Sequence, residues 1–218
     1  MSPQLRSRLG PLVVALLAFG LFIALGVHVV YRGEPVMLAA WEHELVGHST
    51  LVAWWLTWTC YLYALLPVAI VLLILAWRLP AWRARILFSV AMLLLCWQGA
   101  DLAQHLFMRP RRLDWIVKHE HAFSYPSSHA AIATGFYGLW AVMLYTSELP
   151  KVTRRLAGVL LALLALAICW SRLALGAHYV TDLVGGALLA VALLSVALAI
   201  VPVNLFGPVA GRLSGAAK

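Results

Sequence analysis

Charge is scarce in this sequence: Asp, Glu, Lys and Arg make up 11% of its 218 residues, against 64% hydrophobic residues. That shortage excludes a water-soluble domain. Cysteine is scarce too, and Cys60, Cys96 and Cys169 all lie inside apolar runs without metal-ligand spacing. They read as buried thiols and leave the redox compartment open. No G-x-x-x-x-G-K-[ST] stretch occurs, which excludes nucleotide hydrolysis of the P-loop type, and neither an internal repeat nor a low-complexity tract is present. The 16 Lys+Arg outnumber the 8 Asp+Glu, but a basic tract on a soluble face is missing. The positive charges sit between apolar runs, so they mark topology and exclude a nucleic-acid partner.

What the sequence has is long apolar runs. Six segments are expected to be helical and to cross a bilayer: Pro11 to Tyr31, Leu51 to Trp77, Ile86 to Phe107, Ala130 to Ser147, Leu156 to Trp170 and Tyr179 to Phe206. The first follows Arg6 and Arg8 but lacks a small-residue cleavage site, so it reads as an anchor and not a signal peptide. The expected fold is all-α: a polytopic six-transmembrane-helix bundle forming one domain over residues 1–218. An even number of spans puts both termini on one side. Arg6, Arg8, Arg78, Arg83, Arg85, Lys151, Arg154, Arg155, Arg212 and Lys218 fall on that side, which makes it cytoplasmic. Glu34, Glu42, Glu44, Asp114 and Glu120 fall on the other. The stretch Glu34 to His48 fits either a short helix lying at the interface or an ordinary loop. Trp54, Trp55, Trp58, Trp77, Trp82, Trp97 and Trp170 cluster near span ends, where amphipathic rings favour the headgroup layer.

Three polar clusters share the outer side. Gln98, Asp101 and His105, spaced i, i+3 and i+7, lie on one helical face that is expected to look into the bundle or a water-filled cavity. The chain then runs into Met108-Arg109-Pro110-Arg111-Arg112, whose guanidinium forks suit phosphate oxygens or, equally, lipid headgroups. Next, Ser124-Tyr125-Pro126-Ser127-Ser128-His129 opens the fourth span with helix-start residues, where exposed N–H groups attract anions. Finally, Ser171-Arg172 is followed by five residues, His178, three residues and Asp182. His178 and Asp182 are one helical turn apart, so the carboxylate can accept the imidazole N–H and leave the other nitrogen free. A neutral imidazole beside a fixed cation is what attack on phosphorus needs.

These residues resemble the type 2 phosphatidic acid phosphatase family, the lipid phosphate phosphatases, whose pattern is K-x6-R-P, P-S-G-H and S-R-x5-H-x3-D. The third motif matches fully. The second matches as Pro126-Ser127-Ser128-His129, with Ser128 where the family has glycine, and the first matches only as Arg109-Pro110, with Leu102 where the family has lysine. Arg111, Arg112 and Lys118 are the basic residues near enough in sequence to replace the lost cation. Residues 102–182 carry the likeness.

The resemblance implies a site facing the periplasm of a bacterial inner membrane, without metal or cofactor. It implies that His178 attacks phosphorus to give a phosphohistidine, Asp182 orients it, and His129 protonates the leaving oxygen and then activates water. Arg109, Arg172, Ser127, Ser128 and Arg111 hold the phosphoryl oxygens. The partner is a lipid phosphate in the bilayer. The stretch Trp-Ser-Arg-x-x-x-Gly-x-His followed by Asp-x-x-Gly-Gly looks like the undecaprenyl diphosphate phosphatases of the family, and that resemblance puts undecaprenyl diphosphate ahead of phosphatidylglycerol phosphate, phosphatidate and lipid A phosphate as substrate. A phosphotransferase using the same residues is the closest alternative. A transporter would spread ionisable groups through the membrane depth, whereas here they gather at one face. His119-Glu120-His121 lies in an exposed loop and reads as solvated, not as a metal site. The sequence carries no signal for oligomeric state.

Overall fold

The computed structural model describes residues 3–112 and 123–201, and within α1 the side chains from Arg8 onward. The helices are α1 (Pro3–Arg32), α2 (Val36–Leu45), α3 (Thr50–Trp58), α4 (Leu62–Arg78) and α5 (Arg83–Phe107). They are followed by α6 (Ser128–Ile132), a π-helical turn (Ala133–Gly138), α7 (Leu139–Tyr145), α8 (Lys151–Ala174) and α9 (Val180–Ile200). No strand occurs among the described residues.

Each expected span is mainly helical where it is described, but Thr59 to Tyr61 interrupt the second, and not all are single helices. Four helices are long and apolar enough to cross a membrane, and a fifth span results if α3 and α4 count together across a bend of 42°. The bend arises without proline or glycine. The Thr59 hydroxyl donates to Leu56 O at 2.6 Å, and the Thr59 and Cys60 amides take the tighter i−3 carbonyls. A side chain that satisfies a backbone acceptor competes with helix continuation. The fourth expected span runs from α6 through the π turn into α7. There the extra residue of the wide turn is matched by Tyr137, whose hydroxyl donates 2.8 Å to Thr59 O, in the bend.

The helices bury one stripe each and leave the rest apolar and exposed, as a lipid-facing bundle does. In α1 the buried positions are Ala15, Ala18, Phe22 and Val29, at helical spacing, while Leu16, Leu17 and Leu21 point outward. That stripe packs chiefly against α9. In α5 the buried stripe includes Met92, Cys96, Ala100 and Ala103. Tyr125 joins these layers: fully buried, it stacks on Phe22, meets Phe107 edge-on, and donates 2.6 Å to Phe22 O. A Cβ at Gly26 or Gly185 would overlap the Tyr125 ring, so small residues on α1 and α9 make its slot.

The stretch after the first span is a helix, α2, not a loop. Val36 and Met37 are more than four-fifths exposed, whereas Glu42 is fully buried. An apolar outer face with an acid turned inward fits a helix lying at the membrane interface.

Candidate active site

The spacing of the third motif has a direct structural cause. Helix α8 ends by reversing through Gly176, at φ +67°, and the Ala177 and His178 amides both donate to Arg172 O, at 2.9 and 3.3 Å. Only a left-handed residue closes a helix this way at little cost, which is why glycine stands there. Helix α9 then starts at Val180, and Asp182 accepts the Tyr179 N–H at 3.0 Å as its N-terminal cap. Arg172, His178 and Asp182 are thereby brought to one buried corner.

Within that corner the histidine tautomer follows from its partners. An arginine can only donate, and Arg111 Nη1 lies 3.1 Å from His178 Nε2, so Nε2 is the acceptor and carries the lone pair. Nδ1 then bears the proton and donates to Asp182 Oδ2 at 3.2 Å. Burial drives the imidazole toward its neutral form and Arg111 adds to this. The Asp182 hydrogen bond opposes them, and the pKa settles at about 4. A neutral imidazole whose Nε2 lone pair accepts from Arg111, at the cavity wall, is therefore the resting state at neutral pH.

Asp182 is saturated. Its Oδ1 accepts Arg109 Nη1 at 2.6 Å, and its Oδ2 also accepts the Ser124 hydroxyl. Its backbone carbonyl takes the Ser127 N–H at 3.0 Å, which ties the second motif to the third. Ser127 caps α6 by accepting the Ala130 N–H, and a Cβ at Gly186 would overlap Ser127 O, so the two helix starts touch through glycine. His129 lies in α6, with its ring edge-on to Tyr61 at 5.1 Å, just past the bend between α3 and α4.

His129, His178, Arg111, Ser128, Gln104 and Asp101 line one cavity of about 320 Å³. From these polar groups it continues between α4 and α5 past Leu62, Leu65, Leu66, Leu93, Leu94 and Trp97. Leu62, Leu66, Leu94 and Trp97 are also exposed on the outer surface, so the cavity opens sideways onto the lipid-facing side. A polar head compartment with an apolar lateral opening suits an amphiphile.

The other expected phosphate ligands are distributed unevenly. Arg109 does not line the cavity. It lies behind Asp182, also bonded to Glu34 at 2.9 Å and to the Thr181 hydroxyl at 2.8 Å, with its guanidinium over the Tyr179 ring. Arg172 is fully buried and donates 2.6 Å to Thr57 Oγ1 at the end of α3. Ser127 is fully buried in its capping role, whereas Ser128 faces the cavity. Of the face formed by Gln98, Asp101 and His105, only Asp101 reaches the cavity, and all three are exposed. The buried polar group of α5 is instead Gln104, whose amide donates to Pro126 O at 2.8 Å and to Ser128 Oγ at 3.0 Å. Leu102, in the place of the family lysine, is 62% exposed. Lys118 and His119-Glu120-His121 lie outside the described residues, as do Asp114, Arg212 and Lys218.

Sequence reasoning did not single out Ser124, Gln104, Thr181, Glu34, Glu42 or Thr57. Ser124 stood inside a quoted motif, and the two acids were conspicuous in so acid-poor a chain. Their partners, however, come from distant segments.

The geometry defines a membrane-helix bundle with a buried His-Asp pair and a second histidine on the same cavity, and residues 104–206 match the family model of the PAP2 superfamily. The fold is similar to the crystal structure of a transmembrane PAP2-type phosphatidylglycerolphosphate phosphatase from Bacillus subtilis. The TM-score is 0.66 at 20% identity, over 82% of this chain and 91% of that one. At that identity the likeness speaks to the fold. No curated protein matches the sequence.

Proposed function

We propose that this chain is a lipid phosphate phosphatase working through a phosphohistidine on His178. The observation that carries the reading is the polarity of His178, with Nδ1 tied to Asp182 and Nε2 turned to the cavity that His129 shares. In the reaction, Arg111 turns its N–H from Nε2 to a phosphoryl oxygen, the freed Nε2 lone pair attacks phosphorus and the bond to the leaving oxygen breaks, while His129 supplies that oxygen with a proton. The imidazolium character that develops on His178 is stabilised by Asp182 through Nδ1–H. His129, now a base, takes a proton from water, whose oxygen attacks the phosphohistidine and restores Nε2. Arg111, the Ser128 hydroxyl and the N–H groups at the start of α6 face the charge that builds on the phosphoryl oxygens.

The six-span reading counts α3 with α4 and α6 with α7 as one span each. With it go cytoplasmic termini and a site at the periplasmic face of the inner membrane. Undecaprenyl diphosphate is the first substrate to test. Phosphatidylglycerol phosphate, the lipid of the similar crystal structure's phosphatase, is the second. Phosphate release by the purified chain is expected from at least one lipid of such a panel, with a phosphoenzyme that is acid-labile and alkali-stable. His178→Ala is expected to reduce both to background. Equal release by the wild type and the variant sinks the mechanism.

A further inference from the structure

Arg109, Arg111 and Arg112 lie within four residues of one another, yet each goes to a different place. Arg109 sits between Asp182 and Glu34, Arg111 lines the cavity, and Arg112 Nη1 donates 2.7 Å to Glu42. Two carboxylates from the other end of the chain therefore hold two of the three arginines. Glu34 lies in the turn before α2 and also accepts the Thr181 hydroxyl and the Thr181 N–H. Glu42, on the inward face of α2, accepts the Val180 N–H at 2.6 Å. Both acids thus grip the first turn of α9, the turn that carries Asp182.

Glu34 is also a neighbouring carboxyl whose charge disfavours the ionised form of Glu42. Burial raises Glu42 most, and Glu34 raises it further. The Val180 N–H and Arg112 pull it back, leaving it at about 7. The groups facing Glu42 are Glu34 from the preceding turn, Arg112 from the motif segment, and the Val180 N–H from α9. Arg109 stands behind Glu34.

We propose that Glu34 and Glu42 are positioning residues that sort the arginines, keeping Arg109 behind the nucleophile and Arg112 away from the cavity. Of the three, Arg111 then meets the substrate phosphate. Where Glu42 holds Arg112 sets the site's preference between monophosphate and diphosphate head groups. The inference rests on the phosphatase reading for its kinetic part only.

Two measurements on the full chain in detergent test it. The first is labelling with phenylglyoxal, which reacts with accessible guanidinium groups, read by mass spectrometry. Glu42→Gln keeps an oxygen for the Val180 N–H but turns an amide toward Arg112, so Arg112 labelling is expected to rise about tenfold with Arg111 unchanged, matching roughly one lost charge-assisted bond. The second is the ratio of kcat/KM for a lipid diphosphate over the corresponding monophosphate. Glu42→Gln is expected to raise it about tenfold, and the double variant E42Q/R112Q to return it to wild type. Arg112 labelling equal in wild type and variant overturns the proposal, as does a raised ratio that survives in the double variant.

Should Glu42→Gln fail to fold, R112Q carries the test. A carboxyl near neutrality protonates as pH falls and then loosens its arginine. The wild-type ratio is therefore expected to rise from about pH 8 to about pH 6 relative to R112Q at each pH. Identical profiles overturn the proposal. No phosphate release from either lipid would instead sink the phosphatase reading, with the labelling still deciding the arginine sorting.

Discussion

The two sides of His178 are built on opposite rules. Behind it, Asp182 accepts from Arg109, Ser124, Tyr179 and His178, and Arg109 is itself shared with Glu34 and Thr181. In front, the cavity wall has few polar groups, Arg111, Ser128, Gln104, Asp101 and His129, before it turns apolar. The rear is a closed network in which removing a member leaves buried charge uncompensated, whereas the front is left open for a ligand to complete. The lesson is that a motif arginine need not line the cavity: Arg109 belongs to the rear and Arg111 to the front.

The largest expected effect breaks the rear. Asp182→Asn keeps the shape but presents an amide to Nδ1, favouring the tautomer with the proton on Nε2. The kcat is expected to fall by about 10⁴, by analogy with the same exchange in His-Asp hydrolases, with the protein still folded by size-exclusion chromatography. A fall of less than tenfold would show that Asp182 does not set the tautomer.

Breaking the front comes next. Arg111→Gln is expected to lower kcat/KM by about 10² to 10³, as for loss of one donor to a developing oxyanion. It also removes a cation that helps depress His178. If His178 is the nucleophile, its protonated form is inactive, so wild-type activity is expected to be lost as pH falls through about 4, and in Arg111→Gln that limb is expected to move to higher pH. The depressed pKa also lowers stability below the ordinary histidine range, because there the unfolded chain binds a proton that the folded one does not. A pH–rate profile on both proteins checks the shift, and an unmoved limb separates Arg111 from His178.

The smallest effect tests how closed the rear is. Ser124→Ala removes one of several donors to Asp182, and a buried carboxylate that keeps its others loses about 1 to 2 kcal/mol. Chemical denaturation in detergent reads that loss, with kcat expected to fall by about tenfold or less. A collapse as large as that of Asp182→Asn would mean that the donors are not redundant.

The sequence showed the helices, the third motif and the His178–Asp182 pairing, because each is local: a run of apolar residues, a helix reversal at Gly176, a one-turn spacing. The break between α3 and α4 and the π turn were not legible. They depend on Thr59 and Tyr137 finding each other across the bundle, and neither departs from helical periodicity. The inward face of α5 was read as that of Asp101, while Gln104 is the residue that reaches the second motif. The roles of Arg109 and Arg111 could not be read at all from the sequence. Three arginines in one segment look alike until Glu34 and Glu42, some seventy positions earlier, choose between them.

The sideways opening of the cavity between α4 and α5 changes what concentration means for this protein. Leu62, Leu66, Leu94 and Trp97 stand both at its wall and on the outer surface. Substrate would arrive by lateral diffusion within the bilayer, its apolar part never crossing water, and encounter becomes a two-dimensional event. The variable that governs rate is then the mole fraction of substrate among surrounding lipids, so adding inert lipid slows turnover even when the amount of substrate per volume is held fixed.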